Sequence, residues 1–501
     1  MADSGSRSSS LWRPSRRQFL RTVGVAGLGG ALAACTSEEG GGGPGGGTEA
    51  TGQAPTTTFA EPSSKLSGDL KILLWSHFVP SHDQWFRPFA QAWGKQVGVN
   101  VTVDHIDNAQ IPTRIAAEIQ AKQGHDVIQY IAPLSQFEPS VEDLKDITDE
   151  ATNRWGQQLE LCKLSSFNPA TGKYYAYSPG WVPDPGDYRR SLWEAVGLPN
   201  GPAWAPDPGD YRKSMWEKVG MPEGPATWDE LLEGGAEIKR SQNIQMGIGM
   251  SQEIDSNMAG RALLWSFGGS IQDENEKVVI NSPATVAAVD FMSRLYRDTM
   301  TPEVFSWNAA SNNQGLVAGQ MSYILNSISA WRTAQTQNPP VADDIFFVKA
   351  LRGPETALVA QHVMYNWIVP SFATNADAAK EFLLHYAANL PSATYHSQLY
   401  DFPAFPDLVP QLDSWLDKDP FGANPPDKLA VLKDALDWST NIGHPGPASP
   451  AIGEVFSTFV IPNMYARAAR GEQTPEQSVA EAEQQINAIF QNWRARGLVA
   501  G

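Results

Sequence analysis

The side chains here that could recognise a polar solute without covalent chemistry are aromatic rings, carboxylates and imidazoles. Four of them fall at predicted strand ends: Trp75, His77, Asp126 and Tyr130. A solute rich in hydroxyls has polar edges and apolar C–H faces. Its site therefore needs flat rings to stack on and carboxylate, amide or imidazole groups to take the hydroxyls. Trp181, Tyr365 and Trp367 add further candidates of the same chemistry. Each has a plainer reading, because a tryptophan packs in a core more often than it meets a ligand. Trp85 and Trp93 share a helical face with Phe86 and Phe89 and are assigned to the core. Asp126 could cap a turn as readily as bind.

Other chemistries lack their motifs. There is no Gly-x-Ser-x-Gly, no His-Glu-x-x-His and no phosphate loop ending in Gly-Lys-Ser/Thr, so an enzyme is not expected. Paired carboxylates of a glycoside hydrolase need not be close in sequence, so a secreted carbohydrate-active hydrolase stays as the alternative reading. A peptide- or protein-binding lipoprotein is a further one. His77 and His82 are five apart, which is not the i, i+4 spacing of a helical ligand pair, and His362 and His444 are isolated. With no Cys/His cluster, neither a metal site nor a cofactor is expected. Cys35 and Cys162 are the two cysteines; Cys162 is read as a half-buried structural thiol.

The 501 residues carry a net charge of −18, and the first 34 hold five Arg against one Asp, so the remainder of the chain is more acidic still. Such a surface repels nucleic acid and anionic lipid. Ser15-Arg16-Arg17-Gln18-Phe19-Leu20 is a twin-arginine export pattern. A Gly/Ala-rich apolar stretch, Val23 to Ala34, comes next and is too short for a permanent membrane helix. It ends in Leu32-Ala33-Ala34-Cys35, which resembles the bacterial lipobox, whose cysteine is lipidated after cleavage. Residues 1–34 are thus expected to be a signal peptide. Residues 35–67, rich in Gly, Thr and Pro, read as a flexible tether.

These residues need elements to position them. Leu70–Trp75 reads as a buried strand, Val99–Val103 alternates as a second, and Asp126–Ile131 reads as a third. A helix carrying Trp85 to Trp93 and another carrying Ile111, Ile115 and Ile119 lie between them, with Gly124 at the expected end of the second. This β-α-β-α-β order predicts parallel strands, with ligands meeting their carboxyl ends. Ser282-Pro283 opens a helix, as does the capping-box pattern Thr474-Pro475-Glu476-Gln477. Residues 181–202 match 204–225 at 16 of 22 positions, a tandem duplication read as an added surface element.

Several segments, in order, resemble the sugar-type extracellular solute-binding proteins of ABC importers, relatives of maltose-binding protein. They include Trp75-Ser76-His77, Gly124-His125-Asp126-Val127, Gly172 to Tyr177, and Tyr211 to Gly220 followed by Thr227-Trp228-Asp229-Glu230-Leu231. Trp265-Ser266-Phe267-Gly268-Gly269, Gly315 to Trp331 and Asp377 to Tyr386 complete the set. The second repeat copy precedes the Thr-Trp-Asp-Glu-Leu segment, which makes the first copy the expected insertion. The family's late aromatic has no obvious counterpart around Ile452 to Val460.

The resemblance implies an α/β, two-lobed periplasmic-binding-protein-like fold with discontinuous lobes, a hinge and a ligand cleft between them. Lobe 1 would be 68–178 plus about 354–390, and lobe 2 would be 179–353 plus about 391–501, with the duplication at 181–225. It places Trp265 and Trp331 in ligand-proximal segments. It implies capture of a small polar solute, most simply a sugar, by a monomer held outside the membrane through Cys35, with ABC permease subunits as partners.

Overall fold

The structure is a computed structural model and describes residues 53–197 and 227–500. Arg16, Arg17, Cys35 and the second repeat copy lie outside the described residues.

Gly68–Trp75 forms a strand whose apolar run, Leu70 and Ile72 to Trp75, is buried on both faces. That is the pattern of a central parallel strand. It pairs in parallel with Val99–Ile106 on one side and Val127–Tyr130 on the other, and Asn366–Ile368 adds an antiparallel edge. The helix Pro80–Val97 buries Phe86, Phe89 and Trp93 and closes on Gly98 in the left-handed conformation (φ 81°). The helix Ile111–Ala121 closes on Lys122 (φ 51°) rather than on Gly124. Gly124 is needed for another reason: a Cβ there would lie 2.1 Å from the Glu118 carboxylate.

A second sheet runs in the order Ile345–Val348, Gly186–Arg189, Met321–Leu325, Gln245–Gly247. Its inner strand Gly186–Arg189 comes from the first repeat copy, and the helix Arg190–Ala195 continues it. Trp193 on that helix is fully buried and its indole donates to the Ser322 carbonyl (2.9 Å). The first copy is therefore built into the core, not added to the surface. The residues after its Pro/Asp turn hydrogen-bond on both edges, which an appended element would not do.

Between the two sheets, Gly180–Val182 pairs antiparallel with Val363–Met364 and Phe402–Pro403, so three stretches of chain cross at one small linking sheet. Ser282 N-caps the helix Pro283–Thr299, and Thr474 forms a capping box with Gln477 on Pro475–Ala495, both as read from sequence. A second capping box, Thr227 with Glu230, opens Trp228–Gln242.

The last part of the expected tether is docked. Leu66 is buried, the Thr58 N–H donates to Asn389 Oδ1 (2.7 Å), and Phe59 stacks on His385 (5.2 Å). The apolar Leu66 interrupts its polar composition and gives it something to bury. Cys162 is fully rather than half buried, and burial pushes its thiol well above the usual range. Among the described residues no helix is long and apolar enough to cross a membrane.

Candidate functional site

All three parallel strands of the first sheet end at one groove. Phe78 comes after Gly68–Trp75, Asp107 after Val99–Ile106, and Tyr130 is the last residue of Val127–Tyr130. Asp107 accepts the Ala109 N–H (2.9 Å), turning the chain so that Asn108 and Ala109 face the groove. The opposite wall is made by Gln252 to Ile254, Trp307 to Ala310, and Phe456, Ser457 and Phe459. The cavity between these walls is about 640 Å³, within the range of small-molecule sites. A further cavity of about 580 Å³ meets it at Phe78 and Ala310 and is lined by the amides Asn313, Gln314, Gln337 and Asn338. The described lining of both cavities contains aromatic rings, amides and acids but no lysine or arginine.

Glu253 N-caps the helix Ile254–Ser266, accepting the N–H groups of Asp255 and Ser256 (both 2.6 Å). Burial, then the neighbouring Asp255 charge, raises its carboxyl to about 8. Burial raises Asp255 to about 6, with His362 opposing. Behind Phe78 lies His362, whose ring is 6.3 Å away and whose Nδ1 is 2.9 Å from Asp184 Oδ1. Burial opposes protonation of His362, but the Asp184 carboxylate outweighs it and raises the imidazole. Burial, joined by the charge of Asp184, pushes Asp187 far above the carboxylate range. Both Asp187 oxygens, Asp184 Oδ2, the Tyr323 hydroxyl and both ends of the Gln361 amide are buried with no hydrogen-bond partner among the described residues. Buried polar groups are nearly always paired, so these atoms stand out, although none of the four residues lines either cavity.

The sequence candidates separate. Tyr130 lines the groove. Trp75, His77 and Tyr365 come together behind Phe78: the Trp75 ring stacks on His77 (4.8 Å), and His77 Nε2 is 3.1 Å from the Tyr365 hydroxyl. All three are buried among protein groups. Asp126 immediately precedes its strand rather than ending it, and lies at the opposite edge of the sheet. Its carboxylate accepts the Lys71 N–H (2.9 Å), the Thr374 N–H (2.7 Å), the Thr374 hydroxyl (2.9 Å) and the Asn375 N–H (3.3 Å).

Trp367 packs in the first core against Phe86 and Tyr386. Trp181 sits in the linking sheet, its indole donating to the Pro403 carbonyl (3.2 Å). Trp331 is buried edge-on to Phe347 and under Arg332, which is paired with Asp419. Trp265 is at the far end of the helix capped by Glu253, about 16 Å along its axis.

Sequence reasoning misses Phe456 and Phe459, an aromatic pair in the very stretch where no counterpart is expected. Phe459 holds a left-handed backbone (φ 56°) where Pro450–Ser457 breaks into Val460–Ala469. A bulky residue held there is a conformational cost that structure must offset. A last cavity, about 500 Å³ beneath residues 60–64, is lined by charges that pair with one another, such as Lys380 with Asp146 (2.7 Å). His385 on its lining keeps both ring nitrogens without a hydrogen-bond partner among the described residues.

Residues 209–423 match the family described as Bacterial extracellular solute-binding protein. No curated protein matches the chain. Among solved structures, the maltose-bound MalE3 of T. maritima is 19% identical (TM-score 0.65), covering 84% of this chain and 100% of that one. A sugar transporter from Arthrobacter chlorophenolicus A6 with bound laminaribiose is 15% identical (TM-score 0.65; 84% and 99% covered). The GacH receptor of Streptomyces glaucescens GLA.O, known unliganded and with acarbose, is 17% identical (TM-score 0.64; 85% and 99% covered). The fold is that of two-lobed periplasmic binding proteins.

Proposed function

We propose that this chain, whose residues 209–423 carry the match to extracellular solute-binding proteins, captures a neutral sugar or short oligosaccharide in the groove and delivers it to an ABC importer. The observation that carries the reading is a groove walled by loops of both sheets, with aromatic rings, amides and acids on its sides. Phe78, Tyr130, Trp307, Phe456 and Phe459 supply plates for C–H faces, and the amides and acids accept and donate to hydroxyls. The continuation of the groove past Phe78 into the amide-lined cavity favours a ligand longer than one ring. Acids without a lysine or arginine on the lining disfavour phosphorylated or carboxylated solutes, which call for clustered cations.

A solute touching both walls favours the closed arrangement by its differential contacts alone. The lobes in this reading are 68–178 with about 354–400, and 179–353 with the remainder. The second crossing falls near 400 rather than 390 because Leu390–His396 packs on Pro80–Val97, with His396 stacked on Trp85 (5.5 Å). Export through Arg16-Arg17 and lipidation at Cys35 would hold a monomer outside the membrane, where permease subunits can meet it.

The test is a thermal-shift and tryptophan-fluorescence screen of the mature chain against neutral mono- and oligosaccharides, sugar phosphates, amino acids and peptides. The reading expects a shift growing with concentration of a neutral saccharide, without product. A response confined to phosphorylated sugars or peptides, or release of sugar from an oligosaccharide, would replace it.

A further inference from the structure

Behind the groove, outside the proposed solute site, two histidines and an aspartate from distant parts of the chain converge. His77 comes just after the first strand, His82 is on the first turns of Pro80–Val97, and Asp401 immediately precedes the linking strand Phe402–Pro403. One donor atom from each lies within 4.8 Å of the others, and among the described residues this is the sole such trio of His, Cys, Asp or Glu. The separations are His77 Nε2 to Asp401 Oδ1, 3.3 Å, and His82 Nε2 to Asp401 Oδ2, 3.9 Å. The second is too long for a hydrogen bond. It does suit two donors sharing one ion: metal–nitrogen and metal–oxygen bonds of about 2.0–2.2 Å put neighbouring ligands roughly 3.3–4 Å apart.

His82 is 2% exposed, yet neither ring nitrogen has a hydrogen-bond partner among the described residues, and Asp401 Oδ2 has none either. Two unmet acceptor positions facing each other across 3.9 Å need a cation or a proton between them.

The surroundings match those of metal-bound imidazoles, which direct their other nitrogen at a carboxylate or carbonyl. His82 Nδ1 faces Asp83 Oδ1 at 3.6 Å. His77 Nδ1 lies 2.9 Å from the Val79 N–H, which donates to it, and 3.1 Å from the Val79 carbonyl; a cation at Nε2 requires the other tautomer, in which Nδ1 donates to that carbonyl. The Tyr365 hydroxyl, 3.1 Å from His77 Nε2 and hydrogen-bonded to Asp401 Oδ1, supplies an oxygen at a fourth corner.

We propose that His77, His82 and Asp401 bind one divalent cation of the zinc class, with Tyr365 beside it. Two neutral imidazoles and a carboxylate are a borderline donor set that favours zinc or cobalt over magnesium or calcium. The ion ties the helix Pro80–Val97 to the segment entering the linking sheet, so its role is structural, and its burial means that it is acquired as the chain folds.

The experiment refolds the full chain from urea with Zn2+, with Co2+ or with EDTA, then measures bound metal after gel filtration and the visible spectrum of the cobalt form. The expected result is about one equivalent of either ion, a tetrahedral cobalt absorption, and melting at higher temperature than in EDTA. His82→Gln and Asp401→Asn each lower metal affinity at least tenfold, whereas Glu118→Gln, at the separate His125 pair, leaves it unchanged. His82→Gln breaks no hydrogen bond among the described residues and is expected to fold, so it decides the matter if Asp401→Asn does not fold. Less than a tenth of an equivalent on the unaltered chain would overturn the proposal, as would unchanged uptake by His82→Gln. Neither result depends on which solute the groove takes.

Discussion

Asp126, just before the strand Val127–Tyr130, and Asp187, on Gly186–Arg189, are both buried aspartates, and their circumstances are opposite. Asp126, at the amino edge of the first sheet, receives four donors from residues 71, 374 and 375. Asp187, on an inner strand of the second sheet, receives none among the described residues, and its acidic neighbour Asp184 joins burial in raising it. Burial and residue type are the same, so neither tells which acid serves the fold and which serves a guest. The hydrogen-bond account does. A carboxylate whose acceptor sites are filled by backbone N–H groups is part of the scaffold, and one left unmet has no such structural tie among the described residues.

The contrast breaks most visibly at Asp126. Asp126→Ala strips the acceptor from three backbone N–H groups and a hydroxyl at once, and is expected to cost about 3 kcal/mol in urea unfolding. Saccharide affinity of the folded fraction should stay within about twofold of the unaltered chain, since the residue is at the sheet edge away from the groove. A loss of affinity without a loss of stability would invert the assignment of the two acids.

The groove's own acids should show themselves through pH. Glu253 is raised to about 8 by burial and then by Asp255, so the folded chain keeps a proton that the unfolded chain releases near the ordinary glutamate value. Its stabilising contribution is complete in acid below that ordinary value and drains away as pH climbs toward 8, at up to about 1.4 kcal/mol per pH unit. Glu253→Gln imitates the protonated form and should flatten the fall of stability between about pH 5 and 8. An unchanged slope would mean that the carboxylate is solvated and that the groove is wetter than its walls imply.

At Asp187 the expected signs reverse those at Asp126. Asp187→Asn replaces a carboxyl that burial already keeps protonated with a neutral amide of the same shape, so stability should hold. Saccharide affinity should fall about tenfold, equivalent to about 1.4 kcal/mol, as isothermal titration would register. Destabilisation as large as that from Asp126→Ala would show Asp187 to be scaffold.

Legibility in the sequence tracks the range of the interactions. The first sheet's strands, the helix faces and the caps at Ser282 and Thr474 are written in neighbouring residues, and they stand where periodicity and capping patterns put them. Asp126 is open to two readings in the sequence because its donors are 55 residues before it and nearly 250 after it. His82 and Asp401 are farther apart still, so ligand spacing along the chain argues against the metal site that their meeting in space supports. The repeat misleads for another reason. Two copies share one pattern, and nothing local says that the first, with Gly186 fitted beneath the Tyr323 hydroxyl, occupies the inner strand. Phe459 carries no signal at all, since a left-handed phenylalanine is imposed by packing and not by propensity.

The finest test dissects Asp126 one donor at a time. Thr374→Val keeps the β-branched shape and the backbone N–H, and removes only the hydroxyl that reaches Oδ1 at 2.9 Å. The carboxylate retains the Lys71, Thr374 and Asn375 N–H groups, so the loss should be about 1 kcal/mol, a fraction of that at Asp126→Ala and with no change in saccharide binding. If Asp126 is held by four nearly independent bonds, the double variant should lose no more than Asp126→Ala alone, because the valine removes a partner that is already gone. A double variant that loses the sum of both would mean that the Thr374 hydroxyl stabilises the chain through something other than Asp126. The edge would then be a looser network than its distances suggest.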